Sequence, residues 1–386
     1  MEFSLKKVVE TNEVRFLLLG NNDKHFTISE ILYDILNCYK QKSNSEYIYG
    51  EISKKYQNQN VSKTFIDKTL ASVFEKLNAN QASNNLDAIS HKFVLIKEGQ
   101  FRGIHNSLAN LHNKYVMGLV MLISFLATVF FFNELSSLSI TQLYRFQLST
   151  FSIYNLSIIY CSFLLIILWH EIGHATASVH FGVQPKEIGF GFYFIFPVFF
   201  TNVTNIWQLN RSSRNVVNFG GIYFQLIVNI LLITLLYFGV SKSILFPLIL
   251  INLTSIVSSL NPFFIYDGYW IFSDYFSVPN LKVKSKEVLM KCIKGSPITG
   301  LKASLSESKT VLVYSFLNLI FWILVYCYLC FFVYNNITNL YLTFQDNQWL
   351  QNQATIIDTI LTLAITLTIT YLIGIQCINN SKLFKK

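Results

Sequence analysis

The residues best able to do chemistry stand together in Trp169-His170-Glu171-Ile172-Gly173-His174-Ala175. Two histidines four positions apart on a helix lie about 40° apart around its axis, so both imidazoles can reach one metal ion. Glu171, between them, is then placed to act as a base on a water at that metal. The run just upstream, Phe163-Leu164-Leu165-Ile166-Ile167-Leu168-Trp169, carries no charge. Three ionisable residues therefore sit on a helix that otherwise reads as membrane-buried. Ionisable groups are costly there and point to a function.

Two histidines do not complete a zinc site, which needs a third protein ligand and an open position for water. Two residues are candidates. His180 has the His spacing of the long metzincin motif, but that motif needs Gly where this chain has Ala177. If the helix continues, His180 lies about 240° around from His174 and faces away. Asp267, in Asn261-Pro262-Phe263-Phe264-Ile265-Tyr266-Asp267-Gly268-Tyr269-Trp270, is better placed. Pro262 interrupts the preceding helix and lets the chain unwind towards the metal. Asp267 offers a hard anionic oxygen, and Gly268 permits close backbone approach. The surrounding aromatics do not suit a solvated surface carboxylate.

The elements that must position these residues are membrane spans. The chain has 386 residues, is 52% hydrophobic and only 13% charged, and holds 35 Phe, which is too apolar for one soluble domain. Spans are predicted at Tyr115–Phe132, Phe151–Phe181, Val216–Val240, Ile244–Leu260, Val311–Tyr334 and Ile356–Ile378. The second carries the histidine motif in its latter half, and Asp267 follows the fourth. Between the second and third, Gly189-Phe190-Gly191-Phe192-Tyr193-Phe194-Ile195-Phe196-Pro197 reads as a re-entrant or edge-strand hairpin, tolerable at membrane depth only against protein or water. The net charge of +9 reflects lysines and arginines in loops beside the spans, so it implies a lipid bilayer and not nucleic acid as the partner. Met1-Glu2-Phe3-Ser4-Leu5-Lys6-Lys7 leads into no signal-peptide core, so the amino end is expected in the cytoplasm. Six spans then return the carboxyl end there. Lys282, Lys284, Lys286, Lys291, Lys294, Lys302, Lys382, Lys385 and Lys386 fall on that side, while the outer loops 133–150 and 335–355 hold only Arg145. Six cysteines show no disulfide framework, and Cys327-x-x-Cys330 lies in an apolar run without a partner pair.

Residues 1–100 differ in composition, being charged and rich in Asn and Lys. Strands are predicted at Val14–Leu19 and His25–Ile28. Helices follow from Ser29, from Tyr47 and, capped by Ser62, through Leu77. A last strand at Phe93–Ile96 closes a small winged-helix-like domain. Over Val14 to Leu77 this order of elements resembles the PqqD-like winged helix that recognises precursor peptides of ribosomally made, modified peptides. That resemblance implies a leader peptide added as a strand beside the hairpin. Mixed charges without a basic stripe argue against DNA binding.

With His170-Glu171-x-x-His174 on the second span and Asn261-Pro262-x4-Asp267-Gly268 after the fourth, residues 151–281 resemble the site-2 protease family of intramembrane zinc metallopeptidases. Asn261 through Ser273-Asp274 to Pro279-Asn280-Leu281 looks most like its bacterial peptide zinc metalloprotease branch. The resemblance implies zinc on His170, His174 and Asp267, with Glu171 activating water. It also implies that Asn261 orients the substrate or stabilises the oxyanion. The expected fold is therefore an all-α polytopic membrane protein (domain 115–378, core 151–281) with a small α+β cytoplasmic domain at 1–100. The expected protein is a multi-pass zinc metalloendopeptidase of the cell membrane. Its expected substrate is a ribosomally made precursor peptide, cleaved during maturation or export. The alternatives are intramembrane proteolysis of a membrane-anchored signalling protein such as an anti-sigma factor, and a non-catalytic peptide-binding scaffold or exporter subunit. No PDZ-sized insertion follows the motif helix, unlike regulatory members of the family. Nothing in the sequence sets the oligomeric state.

Overall fold

The computed structural model describes residues 3–10, 14–20, 25–57, 61–78, 90–98, 100, 107–137, 153–193, 196–295 and 305–345, with a few positions between 360 and 370. By contact density the chain divides into two units, Met1–Met121 with Ile167–Leu226, and Leu122–Ile166 with Ile227–Lys386.

The first unit begins with an antiparallel sheet of β1 (Phe3–Val9), β2 (Val14–Gly20) and β3 (His25–Ile28), in that order. Strand β1 was not expected. Its burial follows no two-residue alternation, with only Phe3 and Val8 buried and Lys6 and Lys7 between them, so the usual strand signature is missing. Three helices follow: α1 (Glu30–Gln41), α2 (Ser45–Lys55) and α3 (Lys63–Asn78). Ser29 Oγ accepts from Leu32 N at 3.3 Å and Ser62 Oγ from Phe65 N at 3.1 Å, so both serines cap their helices as their sequence positions suggest. Phe3, Leu18, Ile35, Leu36, Ile48, Ile52 and Ile66 form one core.

This domain is bonded to the stretch just before a membrane helix. Glu10, with its side chain 8% exposed, pairs with Arg15 at 2.5 Å and with Arg211 Nε at 2.9 Å. Arg15 also donates to Leu209 O at 3.2 Å, and Lys6 Nζ to Gln208 Oε1 at 3.3 Å.

The expected closing strand exists as β4 (Ser90–Lys97), but its partner corrects the sequence reading. Instead of joining β1–β3, it pairs antiparallel with β5 (Glu187–Tyr193). Strand β5 in turn pairs with β6 (Phe196–Asn202), giving a second sheet in the order β4-β5-β6. The hairpin expected at 189–197 is thus real, and it carries a third strand.

Among the described residues, five helices are long and apolar enough to cross a membrane, which makes this a multi-pass membrane protein. They are α4 (Lys114–Ser137), α5 (Ile153–His180), α6 (Arg211–Tyr237), α7 (Lys242–Leu260) and α10 (Leu305–Gln345); between the last two lie α8 (Asp267–Tyr275) and α9 (Leu281–Ile293). The unit boundary falls within α4, α5 and α6. Helix α10 runs 41 residues, so 335–345, expected as an outer loop, is helical. Asn335, Asn336 and Asn339 lower the apolar signal there, but no Pro or Gly stops the helix. The sixth expected span, 356–378, lies largely outside the described residues. In the second unit, Phe131, Ile159, Ile166, Leu232, Phe246 and Ile249 form one core. Tyr269, Val278, Leu281, Val288, Val311 and Tyr314 form another.

Candidate metal centre

Helix α5 carries both histidines, and α6 fixes their rings. His170 Nδ1 lies 2.9 Å from Gln225 Oε1, and His174 Nδ1 lies 2.8 Å from the Val217 carbonyl. A carbonyl oxygen can only accept, so each Nδ1 carries the ring proton and each Nε2 presents a lone pair. The two Nε2 atoms are 3.1 Å apart, with the rings at 81°. Two lone pairs facing each other at that distance repel, and a shared cation reconciles them. Nitrogens at ~2.0–2.1 Å from one tetrahedral zinc would stand about 3.3 Å apart, so the pair fits that ion.

Close approach of α5 and α6 rests on three glycines. A Cβ on Gly173 would come within 2.3 Å of Gly220 O, and one on Gly220 within 2.6 Å of Gly173 O. A Cβ on Gly221 would lie 2.5 Å from His170 Nε2 and 2.6 Å from His174 Nε2, inside the space a metal needs. Only residues without side chains allow this helix pair. Sequence reasoning singled out neither Gly220 and Gly221 nor Gln225, although a Gln inside an apolar span is itself a signal.

Behind the motif, Thr176 Oγ1 bonds Ile172 O at 2.9 Å and Gly173 O at 3.1 Å, and His112 Nε2 reaches the same hydroxyl at 2.9 Å. His112 is 2% exposed and stacks on Phe224 with centroids 5.5 Å apart. Burial, with His180 and His174 nearby, lowers its pKa from 6.5 to about 4. On the hairpin side, Thr201 Oγ1 of β6 donates to the Glu171 carbonyl at 3.0 Å. The Glu171 side chain is half-buried.

Asp267 is the first residue of α8 and follows the unwound segment that starts at Asn261. Asn261 Oδ1 accepts from Phe263 N at 2.9 Å, closing a local turn. Tyr314 of α10 donates its hydroxyl to Pro262 O at 3.0 Å, and its ring packs on Phe263 and Phe272. A Cβ on Gly268 would fall 2.2 Å from Leu260 O, so this glycine lets the backbone pass close to the end of α7. One nitrogen each from His170 and His174 and one carboxylate oxygen of Asp267 all lie within 4.8 Å of one another. Two imidazoles and a carboxylate are a donor set that suits zinc. Helix α5 continues through His180, whose ring lies beside His112 and Phe181 and is not in this group.

Over 163 residues the chain is 24% identical to a protein of Bacillus subtilis (strain 168) named "Putative peptide zinc metalloprotease protein YydH". The match covers 41% of this chain and 62% of that protein, so the chain spans less than two thirds of the curated relative it matches. No protein-family model matches, and no solved structure matches. A distant likeness to a metalloprotease, five apolar helices among the described residues and a possible His-His-Asp site agree with one another.

Proposed function

We propose that the protein is an intramembrane zinc metalloendopeptidase of site-2 type, hydrolysing a peptide bond in a ribosomally made precursor peptide during maturation or export. The observation that carries this reading is the facing Nε2 pair of His170 and His174, tautomer-locked from α6, with the Asp267 carboxylate in the same group. When bound, zinc supplies Lewis acidity at the scissile carbonyl and lowers the pKa of a water to about 7. Glu171 takes the proton from that water as its oxygen bonds to the carbonyl carbon. It returns the proton to the nitrogen as the C–N bond breaks. Asn261 orients the substrate or steadies the developing oxyanion. The relative's printed name supports a peptide as substrate. The bonding of the amino-terminal domain to residues 208–211 supports that domain as the peptide's recruiter, in the manner of a PqqD-like leader-binding module. Both termini are assigned to the cytoplasmic side of the cell membrane on the lysine distribution.

The test uses Glu171→Gln purified in detergent from the native host. It should keep its zinc, lose cleavage and retain a short precursor peptide identifiable by mass spectrometry. Cleavage at the wild-type rate would remove Glu171 as the base. Recovery of a transmembrane regulatory protein would instead make this a signalling protease. Asp267→Asn should lose most of the zinc, and unchanged metal content would exclude Asp267 as the third ligand.

A further inference from the structure

Helices α8 and α9 are not themselves membrane spans, but they are tied to spans on both sides. Residues 261–266 alone separate α7 from α8, so α8 starts within about 20 Å of the end of a span. Helix α9 packs on the first turns of α10. Val288 shares a core with Val311 and Tyr314, and Ser315 Oγ donates to Ser285 O at 3.3 Å. The apolar span of α10 begins at Ser308, so α9 lies level with its start. The corner between α8 and α9 is fixed. Ser277 (φ 62°) and Asn280 (φ 56°) turn the chain through left-handed conformations. Between them the buried Val278 donates its N–H to Ser273 O at 2.9 Å, and Ser273 Oγ donates to Val278 O at 2.7 Å. Lys282 N donates to the Tyr269 hydroxyl at 3.1 Å, which joins the start of α9 to α8. The outward side of this corner combines two chemistries. Tyr275 is 73% exposed, Phe276 42% and, on α9, Val283 59%. At about 100° per residue, Val283 and Met290 form one stripe of α9, opposite its buried Leu281, Ser285 and Val288. Lys282 and Lys286 flank the stripe on one side, Lys284 and Lys291 on the other, and Lys294 follows its end.

We propose that α8 and α9 form a docking surface for an anionic phospholipid leaflet, with the aromatic side chains in the headgroup layer and the lysines on lipid phosphates. The inference goes beyond the protease reading and does not need it. An apolar stripe bordered by lysines on both sides suits a helix lying flat at the headgroup boundary. The stripe faces the acyl chains, and each lysine stem runs along it to bring an ammonium up to a phosphate. An acidic protein partner would match the lysines but set Tyr275, Phe276 and Val283 against polar surface. Zwitterionic lipid would match those apolar groups but not the charge, since the five lysines meet one acid on α9, Glu287. Only an anionic leaflet matches both, and the fixed corner presents both together.

The test places the full chain in phosphatidylcholine nanodiscs, with native cysteines replaced by serine and Val283→Cys carrying a bimane fluorophore. Phosphatidylglycerol or phosphatidylcholine with a nitroxide near the top of its acyl chain is the quencher. Half-maximal quenching should need at least threefold less labelled phosphatidylglycerol than labelled phosphatidylcholine. About 1 M salt, which screens charges beyond about 3 Å, should narrow that gap. Lys282→Gln, Lys284→Gln, Lys286→Gln and Lys291→Gln together should abolish it. Should that variant misfold, Lys286→Gln with Lys294→Gln, both exposed, should still reduce it by roughly half. The same fluorophore at Leu324→Cys, exposed on α10, should be quenched equally by the two lipids. Equal quenching at position 283, or as large a preference at 324, overturns the proposal. Quenching by neither lipid at 283 also overturns it and leaves the surface to a soluble acidic partner. The readout involves neither metal nor cleavage, so failure of the protease reading would show separately, in the activity and zinc content of wild type.

Discussion

Gln225 is 1% exposed and offers its carbonyl to His170 Nδ1 at 2.9 Å. Replacing it with Leu removes the acceptor that selects the tautomer, so zinc affinity should fall about 10–100-fold. Competition with a chromogenic chelator measures this directly, and unchanged affinity would show that the ring is oriented by other contacts. His112 gives a pH signature. Its folded pKa of about 4 lies below the unfolded 6.5, so the unfolded chain binds the proton first as pH falls. Stability that is present above pH 6.5 is therefore lost between 6.5 and about 4, by roughly 3 kcal/mol at most. His112→Gln should show a shallower loss than wild type in thermal unfolding at pH 7.5 and pH 5. Parallel losses would mean that His112 does not stay neutral in the folded protein. The two residues also mark what the sequence displays. His170, Glu171 and His174 are legible because four-residue spacing is a local property of one helix. Gln225 reaches His170 across 55 positions of chain, and His112 reaches Thr176, behind the motif, across 64, which no spacing encodes.

At the scale of elements, the α5–α6 contact makes the sharpest prediction. Gly221→Ala puts a methyl group 2.5–2.6 Å from both Nε2 atoms, so zinc binding should be lost while the helices still form. Metal analysis beside far-ultraviolet circular dichroism separates these outcomes, and full zinc occupancy would mean that α6 can shift away. Most helices were legible because apolar length and serine caps are written along the chain. Strand β4 was legible as a strand, but its partner was not. A run such as Phe93–Ile96 states that it will pair and does not state with what, and β5 lies about ninety residues on. Helix α10 was cut short in the reading because its asparagines look like a loop, while backbone hydrogen bonding carries the helix through them.

For the whole molecule, the placement of β4 changes how the amino-terminal domain should be removed. Deleting residues 1–78 takes away β1–β3 and α1–α3 but leaves β4 on the hairpin, whereas deleting 1–100 also strips β4 from the second sheet. The shorter truncation should keep its zinc and lose processing of the precursor peptide. If processing persisted at the full rate, the domain would not be the recruiter. Arg211→Ala, which cuts one arm of the Glu10 cluster, should lower the unfolding temperature of the domain by a few degrees; no shift would mean that the remaining bonds suffice. Helix α5, finally, is both an apolar helix long enough to cross a membrane and the bearer of two candidate metal ligands. Its 28 residues span about 42 Å, more than the ~30 Å hydrocarbon layer, and His174 lies about 9 Å from its end. The depth of a metal held by these histidines would thus be set by how the bilayer grips a rod of fixed length. Acyl-chain length then becomes a control variable for the centre, able to raise or lower it against the aqueous boundary without altering any residue.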